Sequence, residues 1–206
     1  MLSKMQINKT LKIGITGGIG SGKSVISRIL KTMGYPIYDS DSWAKKLMNE
    51  SEEIRNSLIL KFGEETYTTM GVNRPFLAQQ IFNNKENLAF VNSVVHPAVG
   101  KHFLHWTEAQ NSKLVFIESA ILFSSGFNKI VDKVIFVDAP QEVRLERAML
   151  RDNATSDTIM ARIKNQSEGD NFSRIHSDFT IQNDNKTLIT KQILAILTDI
   201  NDWEKE

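Results

Sequence analysis

A glycine-rich segment close to the N-terminus holds residue types whose spacing suits phosphate chemistry. It fits the pattern G-x-x-x-x-G-K-[ST] at every fixed position with the run Gly17, Gly18, Ile19, Gly20, Ser21, Gly22, Lys23 and Ser24. Glycines let backbone N–H groups turn inward around a phosphate, and a helix that begins here points its positive dipole end at the same anion. Lys23 can reach the β- and γ-phosphates of a nucleoside triphosphate, and the Ser24 hydroxyl can ligate Mg²⁺. The segment therefore predicts a phosphate-binding loop.

Two aspartates, Asp39 and Asp41, follow the second predicted strand. Ligands of open parallel sheets bind outside the carboxyl ends of the strands, so these carboxylates are expected to point toward the phosphate site. A kinase needs a carboxylate that orients the acceptor hydroxyl and accepts its proton during transfer. The alternative is that one of them only caps the following helix, which is common for aspartate. Both can hold, and we expect at least one of the two to be functional.

Arg147 and Arg151 lie four residues apart on a predicted helix and therefore share one face. They can clamp the phosphates of a nucleotide and offset the charge that develops during phosphoryl transfer. The alternative is a solvated basic face in which Glu142 and Glu146 pair with them at little energetic value.

Three further positions carry candidate site residues. Glu118 and Asp138 both end predicted strands, and either can assist Mg²⁺; the sequence leaves the choice open. His96 precedes Pro97, so it can hydrogen-bond a substrate phosphate or fix the start of a helix.

The elements that must position these residues alternate between apolar strands and amphipathic helices, which predicts a parallel sheet. Five strands are expected, at residues 11–16, 36–39, 114–119, 133–138 and 179–181, with a last helix from about Thr187 to Trp203. The first helix is expected to close at Gly34. The predicted fold is α/β, a P-loop NTPase three-layer sandwich with a five-stranded parallel sheet, a helical substrate-binding insert and a small lid.

The insert is predicted between the second and third strands, because a crossover needs far fewer residues than the seventy or so found there. It shows helical patterns and no convincing strand, and Asn73-Arg74-Pro75 and His96-Pro97 both predict helix starts. The chain is interpreted as one kinase domain over residues 1–206. Its core covers about 10–40, 112–140 and 176–206, its insert about 41–111, and its arginine-dense lid about 141–175.

Composition excludes several classes of protein. There are 25 basic and 24 acidic residues without a clustered basic run, which does not favour a nucleic-acid partner. The absence of cysteine excludes disulfides, thiolate metal sites and a cysteine nucleophile. Residues 1–10 lack the apolar stretch of a signal peptide, and no apolar run approaches membrane-spanning length. A cytoplasmic monomer that binds small molecules, with neither a membrane nor a nucleic acid as partner, is expected. The guanine-binding N-K-x-D and the D-x-x-G of switch GTPases are also absent.

Several separated motifs together resemble the dephospho-CoA kinase family. Residues 15–24 are similar to that family's T-G-G-I-G-S-G-K-[ST], and Asp39-Ser40-Asp41 resembles its D-A-D. Similar positions continue over nearly the whole chain: Phe62, Gly63, Gly71, Asn73, Arg74, Leu77, Phe82, Asn92, His96, Pro97, Arg147, Arg151, Asp152, Arg162, Ile163, Gln166, Asp178, Ile181, Gln182 and Asn183. One departure follows the third strand, where the family commonly reads D-x-P-L-L-F-E. Here Ala120 replaces the proline and Ser124 replaces the last acid, so we leave Ser124 out of the expected site.

The resemblance implies ATP-dependent phosphorylation of the ribose 3′-hydroxyl of dephospho-CoA, giving coenzyme A and ADP in the last step of coenzyme A biosynthesis. It implies Mg²⁺ as cofactor, held by Ser24, and a catalytic set of Asp41, Lys23 and Arg147. The implied ATP-binding residues are residues 17–24 with Val25, Arg147 and Asn183. The implied substrate-binding residues are Thr16, Asp39, Asp41, Arg74, His96 and Glu118. The insert is expected to hold the pantetheine and adenine ends of the acceptor. Two alternatives remain: another small-molecule or nucleoside monophosphate kinase, and a non-catalytic module that binds nucleoside triphosphates.

Overall fold

A computed structural model describes residues 10–203 of the chain, so expectations for residues 1–9 and 204–206, including the absence of a signal peptide, lie outside the described residues. In chain order the strands are β1 (Leu11–Thr16), β2 (Ile37–Asp39), β3 (Tyr67–Thr68), β4 (Gly71–Val72), β5 (Leu114–Glu118), β6 (Lys133–Asp138) and β7 (Phe179–Gln182). The helices are α1 (Lys23–Thr32), α2 (Ser40–Glu50), α3 (Glu52–Phe62), α4 (Arg74–Ile81), α5 (Lys85–Glu108), α6 (Gln141–Asp152), α7 (Ser156–Ile175) and α8 (Ile189–Trp203).

Five strands form one sheet in the order β2-β5-β1-β6-β7. β1 lies between β5 and β6 and pairs in parallel with both, and β6 pairs in parallel with β7. The carboxyl ends of β5, β1 and β6 therefore lie side by side at one edge of the sheet. The predicted parallel sheet with flanking helices is confirmed, and its strands match the predicted segments to within one residue at each end.

The chain divides into two compact units, of which the first contains residues 10–37 and 110–203 of the described part. Its central strands are apolar on both faces, as expected for a parallel sheet covered on two sides. One face packs against the apolar stripes of α1 and α8 in a single core cluster that includes Ile13, Ile15, Ile26, Leu30, Phe116, Ile193 and Ile200. Each of these side chains is at most 2% exposed, so β1 and the loop that follows it rest on a rigid base.

The second compact unit contains residues 38–109 and is mostly helical. Helix α5 is its centre, because α2, α3 and α4 all contact it. Its buried side chains recur at helical spacing, at Val91, Val95, Val99 and Phe103. This periodicity is why a long stretch without strands could be predicted to fold as helices.

Two expectations for this second unit are wrong. β3 and β4 form an antiparallel hairpin, pairing Tyr67 with Val72, where no strand was predicted. Two residues per strand are too few to show an alternating apolar pattern, so the sequence gives no signal for it. The hairpin is fixed from outside, since the Asn49 side chain accepts a hydrogen bond from Val72 N at 3.0 Å.

The second error concerns His96-Pro97, which lies inside α5 and does not begin a helix. Proline removes one backbone donor from a helix interior, yet the apolar residues on both sides of Pro97 keep one buried stripe and the helix continues. By contrast, Asn73-Arg74-Pro75 does begin a helix as predicted, because the Asn73 side chain accepts a hydrogen bond from Phe76 N at 3.3 Å. Within residues 10–203, no helix combines the length and the apolarity that crossing a bilayer requires.

Candidate active site

The loop between β1 and α1 has a backbone that only glycine adopts readily. Gly17, Gly20 and Gly22 have φ values of 150°, 74° and 93°, in the region disfavoured for residues with a Cβ. Gly22 is also the residue before α1, and its carbonyl accepts hydrogen bonds from Val25 N at 2.9 Å and Ile26 N at 3.3 Å. The loop therefore ends in a helix N-terminus, the arrangement that favours bound phosphate.

Lys23 bends back over this loop. Its Nζ donates to Gly17 O at 2.7 Å and to Gly18 O at 3.2 Å. The ammonium group is thus held above the backbone that would surround a phosphate. The hydroxyl of Ser24, one residue further along, belongs to an exposed side chain in the first turn of α1.

Arg147 joins three separate segments of the first unit. Its Nη1 donates to Ser21 O in the loop at 3.4 Å, and its Nη2 donates to Asn183 Oδ1 at 3.2 Å. It also hydrogen-bonds the side chain of Asn185. Arg147 therefore faces the phosphate-binding loop, and the alternative in which it pairs with Glu142 or Glu146 across a solvated face does not describe its contacts.

Asn183 supports the same loop from the other side. Its side chain is 5% exposed and donates to Ser21 O at 2.7 Å, while its backbone N donates to Asp138 O at 2.7 Å. A Cβ on Gly22 would meet the Asn183 amide at 2.1 Å, so glycine is required there by space as well as by backbone conformation.

The turn after Asn183 is held by Asp184. Backbone N–H groups of Thr187 and then Lys186 donate to its carboxylate and lower the pKa of Asp184 to about 2. This turn fixes Asn185, at φ 65°, in the position from which it reaches Arg147. Sequence reasoning did not single out Asn185, although Asn-Asp-Asn is a typical turn composition.

A second arginine contact, also not predicted as part of the site, lies on the outer side of the loop. Arg144 Nε donates to Ile19 O at 2.8 Å, and Nη2 forms an ion pair with Asp170 of α7 at 2.8 Å. A Cβ on Gly18 would meet both partners, at 2.0 Å and 2.2 Å. The only sequence signal was the arginine density of the predicted lid, which does not say which arginine turns inward. Arg144 and Asp170 thus connect helices α6 and α7 to the phosphate-binding loop.

Arg151 does not share this arrangement. It is 64% exposed and pairs with the adjacent Asp152 at 2.7 Å, and Arg162 pairs with the same carboxylate at 3.1 Å. The hydrogen bond with Arg151 lowers the pKa of Asp152. The sequence prediction that Arg147 and Arg151 act together is therefore not supported by their contacts.

Oxygen donors lie at the carboxyl ends of the three central strands. Thr16 ends β1 and is 1% exposed, Glu118 ends β5 and is half-buried, and Asp138 ends β6. Asp138 forms an ion pair with Arg174 of α7 at 3.5 Å. Hydroxyl and carboxylate oxygens are the donors that Mg²⁺ prefers, and this ion usually takes only one or two carboxylates from a protein.

In the second unit, the two aspartates after β2 have different roles. Asp39 caps α2: its carboxylate accepts from Asp41 N at 3.1 Å, Ser42 N at 3.2 Å and the Ser42 hydroxyl at 2.6 Å. The Asp41 side chain is exposed in the first helical turn and has no hydrogen-bond or ion-pair partner among the residues that the structure describes. One carboxylate is thus committed to the helix cap and the other remains available for chemistry.

An aromatic cluster anchors the start of α2 within this unit. Tyr38 is buried, stacks on Trp43 with ring centroids 5.5 Å apart, and hydrogen-bonds His102 Nδ1 at 2.9 Å. Burial raises the pKa of Tyr38. Burial, followed by the charges of Lys46 and His105, lowers the pKa of His102. The cluster holds the segment that carries Asp39 and Asp41 against α5.

Two other predicted substrate residues also lie in this unit. Arg74 is exposed in the first turn of α4. His96 is half-buried in the middle of α5, and burial lowers the pKa of its imidazole.

Comparison with known proteins adds an independent line of evidence. A family model described as Dephospho-CoA kinase matches residues 11–188. A curated relative named Dephospho-CoA kinase, from Porphyromonas gingivalis, is 44% identical over 190 residues, which are 92% of this chain and 94% of the relative.

Solved structures resemble the chain as well. TT1252 from Thermus thermophilus superposes with a TM-score of 0.79 at 29% identity, covering 92% of this chain and 97% of that one. The structure titled Dephospho-CoA kinase from Campylobacter jejuni gives a TM-score of 0.65 at 24% identity, with coverages of 94% and 97%, and shares the fold.

Proposed function

The chain belongs to the dephospho-CoA kinase family, and we propose from this how its own residues divide the work of that reaction. It is an ATP-dependent transferase that phosphorylates dephospho-CoA in coenzyme A biosynthesis. The observation that carries this conclusion is the family match over residues 11–188, supported by a phosphate-binding loop of the expected geometry at the end of β1.

The donor side of the site is the loop of residues 17–24. We propose that its inward backbone N–H groups and Lys23 hold the β- and γ-phosphates of ATP. Lys23 Nζ lies over Gly17 O and Gly18 O, beside the backbone that is proposed to surround those phosphates. Val25 continues the first turn of α1 below this loop. Asn183 keeps the loop in shape through its hydrogen bond to Ser21 O.

The acceptor side is proposed to depend on Asp41, the carboxylate left available after Asp39 caps α2. The ribose 3′-oxygen of dephospho-CoA attacks the γ-phosphorus, the bond to the β,γ-bridging oxygen breaks, and ADP leaves. Asp41 orients the hydroxyl and accepts its proton as the new bond forms. Arg147, which contacts the loop through Ser21 O, stabilises negative charge on the transferred group. Thr16, Arg74, His96 and Glu118 are proposed to contact the acceptor.

Mg²⁺ is proposed as the cofactor, because the oxygen donors near the loop suit it. When bound, the ion neutralises phosphate charge. Ser24 is the proposed protein ligand, assisted by one of the two carboxylates that end β5 and β6, Glu118 or Asp138. We further propose that residues 41–111 bind the adenosine end of the acceptor and that residues 141–175 act as the lid. The protein is proposed to be a cytoplasmic monomer without a nucleic-acid or membrane partner.

A coupled assay of ADP release with a panel of acceptors tests the function. Turnover is expected with dephospho-CoA and not with AMP or gluconate. Turnover with AMP or gluconate in place of dephospho-CoA would indicate another small-molecule kinase. Asp41→Asn should lower kcat by about 10²-fold or more, as expected for loss of a general base, while ATP binding is retained. A non-catalytic nucleotide-binding module would instead show no turnover with any acceptor, and its measured function would not respond to Asp41→Asn.

A further inference from the structure

A groove of about 360 Å³ lies within the first unit, between helix α7 and the loop that follows β5. Its apolar walls are formed by Ile121 and Phe123 of the loop and by Phe172 of the helix. Amide side chains of Asn165 and Gln166 line it from α7. The rings of Phe123 and Phe172 meet edge to face with centroids 5.6 Å apart and close one side. The groove therefore combines apolar surface with neutral hydrogen-bonding groups.

The loop wall of the groove is firmly held. Leu122 is fully buried beneath it, and a Cβ on Gly14 of β1 would meet the Leu122 side chain at 2.8 Å. Within the loop, Ile121 O accepts a hydrogen bond from Ser125 N at 2.8 Å and Ile121 N donates to Ser119 Oγ at 3.3 Å. Backbone groups of this wall are thus satisfied within the loop, while the side chains of Ile121, Phe123 and Ser124 line the groove.

The helix wall contains a gap. Gly169 lies in the middle of α7, where glycine is less favourable than alanine. A Cβ built there meets nothing within 4 Å, so no neighbouring group requires glycine. Asn165 and Gln166 lie one turn earlier, and among residues 10–203 their side chains have no hydrogen-bond partner. The helix leaves space and unused amide groups on the side that faces the groove.

The charges around the groove select a neutral occupant. Among residues 10–203, no lysine or arginine lines the groove, and the one acidic residue that does, Asp170, is paired with Arg144 at 2.8 Å. A triphosphate or diphosphate would find no cation there. The same Asp170 carboxylate lies beside Gly18, at 2.2 Å from the position of a Cβ, so the groove adjoins the phosphate-binding loop. A ligand that reacts at the loop can therefore extend an uncharged part into the groove.

We propose that this groove binds the pantetheine arm of dephospho-CoA, an inference that rests on the function proposed above. The arm is uncharged and alternates amides with methyl and methylene groups. Its amides match Asn165 and Gln166, and its alkyl parts match Ile121, Phe123 and Phe172. This places the arm in the first unit, whereas the sequence suggested the helical insert for both ends of the acceptor. Ser124, which departs from the family pattern, becomes part of the wall that the arm contacts.

The terminal thiol of the arm permits a direct test, because the chain contains no cysteine. Ser124→Cys and Ser173→Cys each place a thiol on one wall of the groove, and Glu168→Cys places one elsewhere on α7 as the control. Each variant is mixed with the disulfide formed between dephospho-CoA and 2-thiopyridine. The introduced thiolate attacks the dephospho-CoA sulfur, forms a protein–dephospho-CoA disulfide and releases 2-thiopyridone, which is followed by absorbance and by protein mass.

We expect at least one groove variant to react 10-fold or more faster than Glu168→Cys, and excess S-methyl dephospho-CoA, which has no free thiol to consume the reagent, to suppress that difference. Equal rates at all three positions, or rates unaffected by the competitor, would overturn the assignment. The reaction needs no ATP and no turnover. If the protein phosphorylates dephospho-CoA but the groove variants are not labelled preferentially, only the groove assignment is refuted. If it does not phosphorylate dephospho-CoA, the proposed function is refuted.

Kinetics provide a second measurement. Gly169→Leu fills the gap in the helix wall and is expected to lower kcat/KM for dephospho-CoA about 10-fold. For the methyl ester of adenosine 5′-diphosphate, which keeps the ribose hydroxyls and the diphosphate but lacks the arm, kcat/KM should change less than twofold. Glu168→Leu is the matched control and should leave both values unchanged. If Gly169→Leu lowers kcat/KM for both substrates by the same factor, the groove holds the adenine end or only supports the fold, and the proposal fails.

Discussion

The ion pair between Arg144 and Asp170 gives the sharpest prediction for stability. The two side chains are 12% and 17% exposed, and their charged atoms are 2.8 Å apart. Asp170→Asn keeps the shape of the side chain but leaves the guanidinium of Arg144 largely buried without its counter-charge. Arg144 retains its hydrogen bond to Ile19 O, so the change acts mainly on the contact between α6 and α7.

The magnitude follows from distance and burial. At an effective dielectric constant of about 20, two charges at this distance attract by about 6 kcal/mol, and desolvation of both groups offsets most of that attraction. Removing one partner of a fully buried pair costs about 3–5 kcal/mol, whereas exposed pairs contribute about 0–1 kcal/mol. For this mostly buried pair we expect Asp170→Asn to lower the free energy of unfolding by about 2 kcal/mol. In a chain of this size that corresponds to a fall in Tm of about 4–8 °C.

Urea and thermal unfolding of the wild type, Asp170→Asn, Arg144→Met and the double variant measure the effect. The double variant should be more stable than the sum of the single changes predicts, because it leaves no uncompensated charge. Lys46 and Glu50 form the matched control: they are 50% and 60% exposed and 3.8 Å apart, so breaking that pair should cost less than about 0.5 kcal/mol. Strictly additive effects for Arg144 and Asp170, or a loss no larger than that of the control, would refute the reasoning.

Three further predictions concern the loop and the aromatic cluster. Gly18→Ala should weaken ATP binding in a direct titration, because its Cβ would collide with Arg144 and Asp170; unchanged affinity would contradict the observed packing. Lys23→Met should lower kcat by about 10²–10³-fold in the coupled assay, as expected for the loss of one preorganised charge; a change below tenfold would contradict its role. The pKa of His102 is lower in the folded chain than in the unfolded chain, so below pH 6.5 the unfolded chain binds more protons. The free energy of unfolding should therefore fall as the pH is lowered below 6.5. His102→Asn should reduce this slope in denaturant titrations at pH 5–7, and an unchanged slope would show that His102 is not responsible.

The sheet and the phosphate-binding loop could be predicted because their signals are local. Apolar runs of strand length mark β1, β5 and β6, and the fixed glycines, lysine and serine of the loop follow β1 directly. The position of the two aspartates before a helix likewise predicted that one of them could cap it, and Asp39 is the one that does. These features need only a few neighbouring residues to be specified.

The errors and omissions depend on partners far away in the chain. Arg144 reaches Asp170 across 26 residues and Ile19 across 125. No spacing rule connects these positions, so an arginine-dense helix gave no means of choosing Arg144 over Arg151. The prediction that a helix begins at His96-Pro97 was wrong for a related reason. Tertiary packing on both sides of Pro97 overrides a strong local signal for a helix start.

The close approach of Leu122 to Gly14 has a consequence for how this family can change over evolutionary time. The side chain of Leu122 fills the space above Gly14, in the strand that leads directly into the phosphate-binding loop. A larger residue at position 14 can be accepted only with a smaller one at position 122. We therefore expect the two positions to covary among homologous sequences, because the residue at one position determines which side-chain sizes the other tolerates.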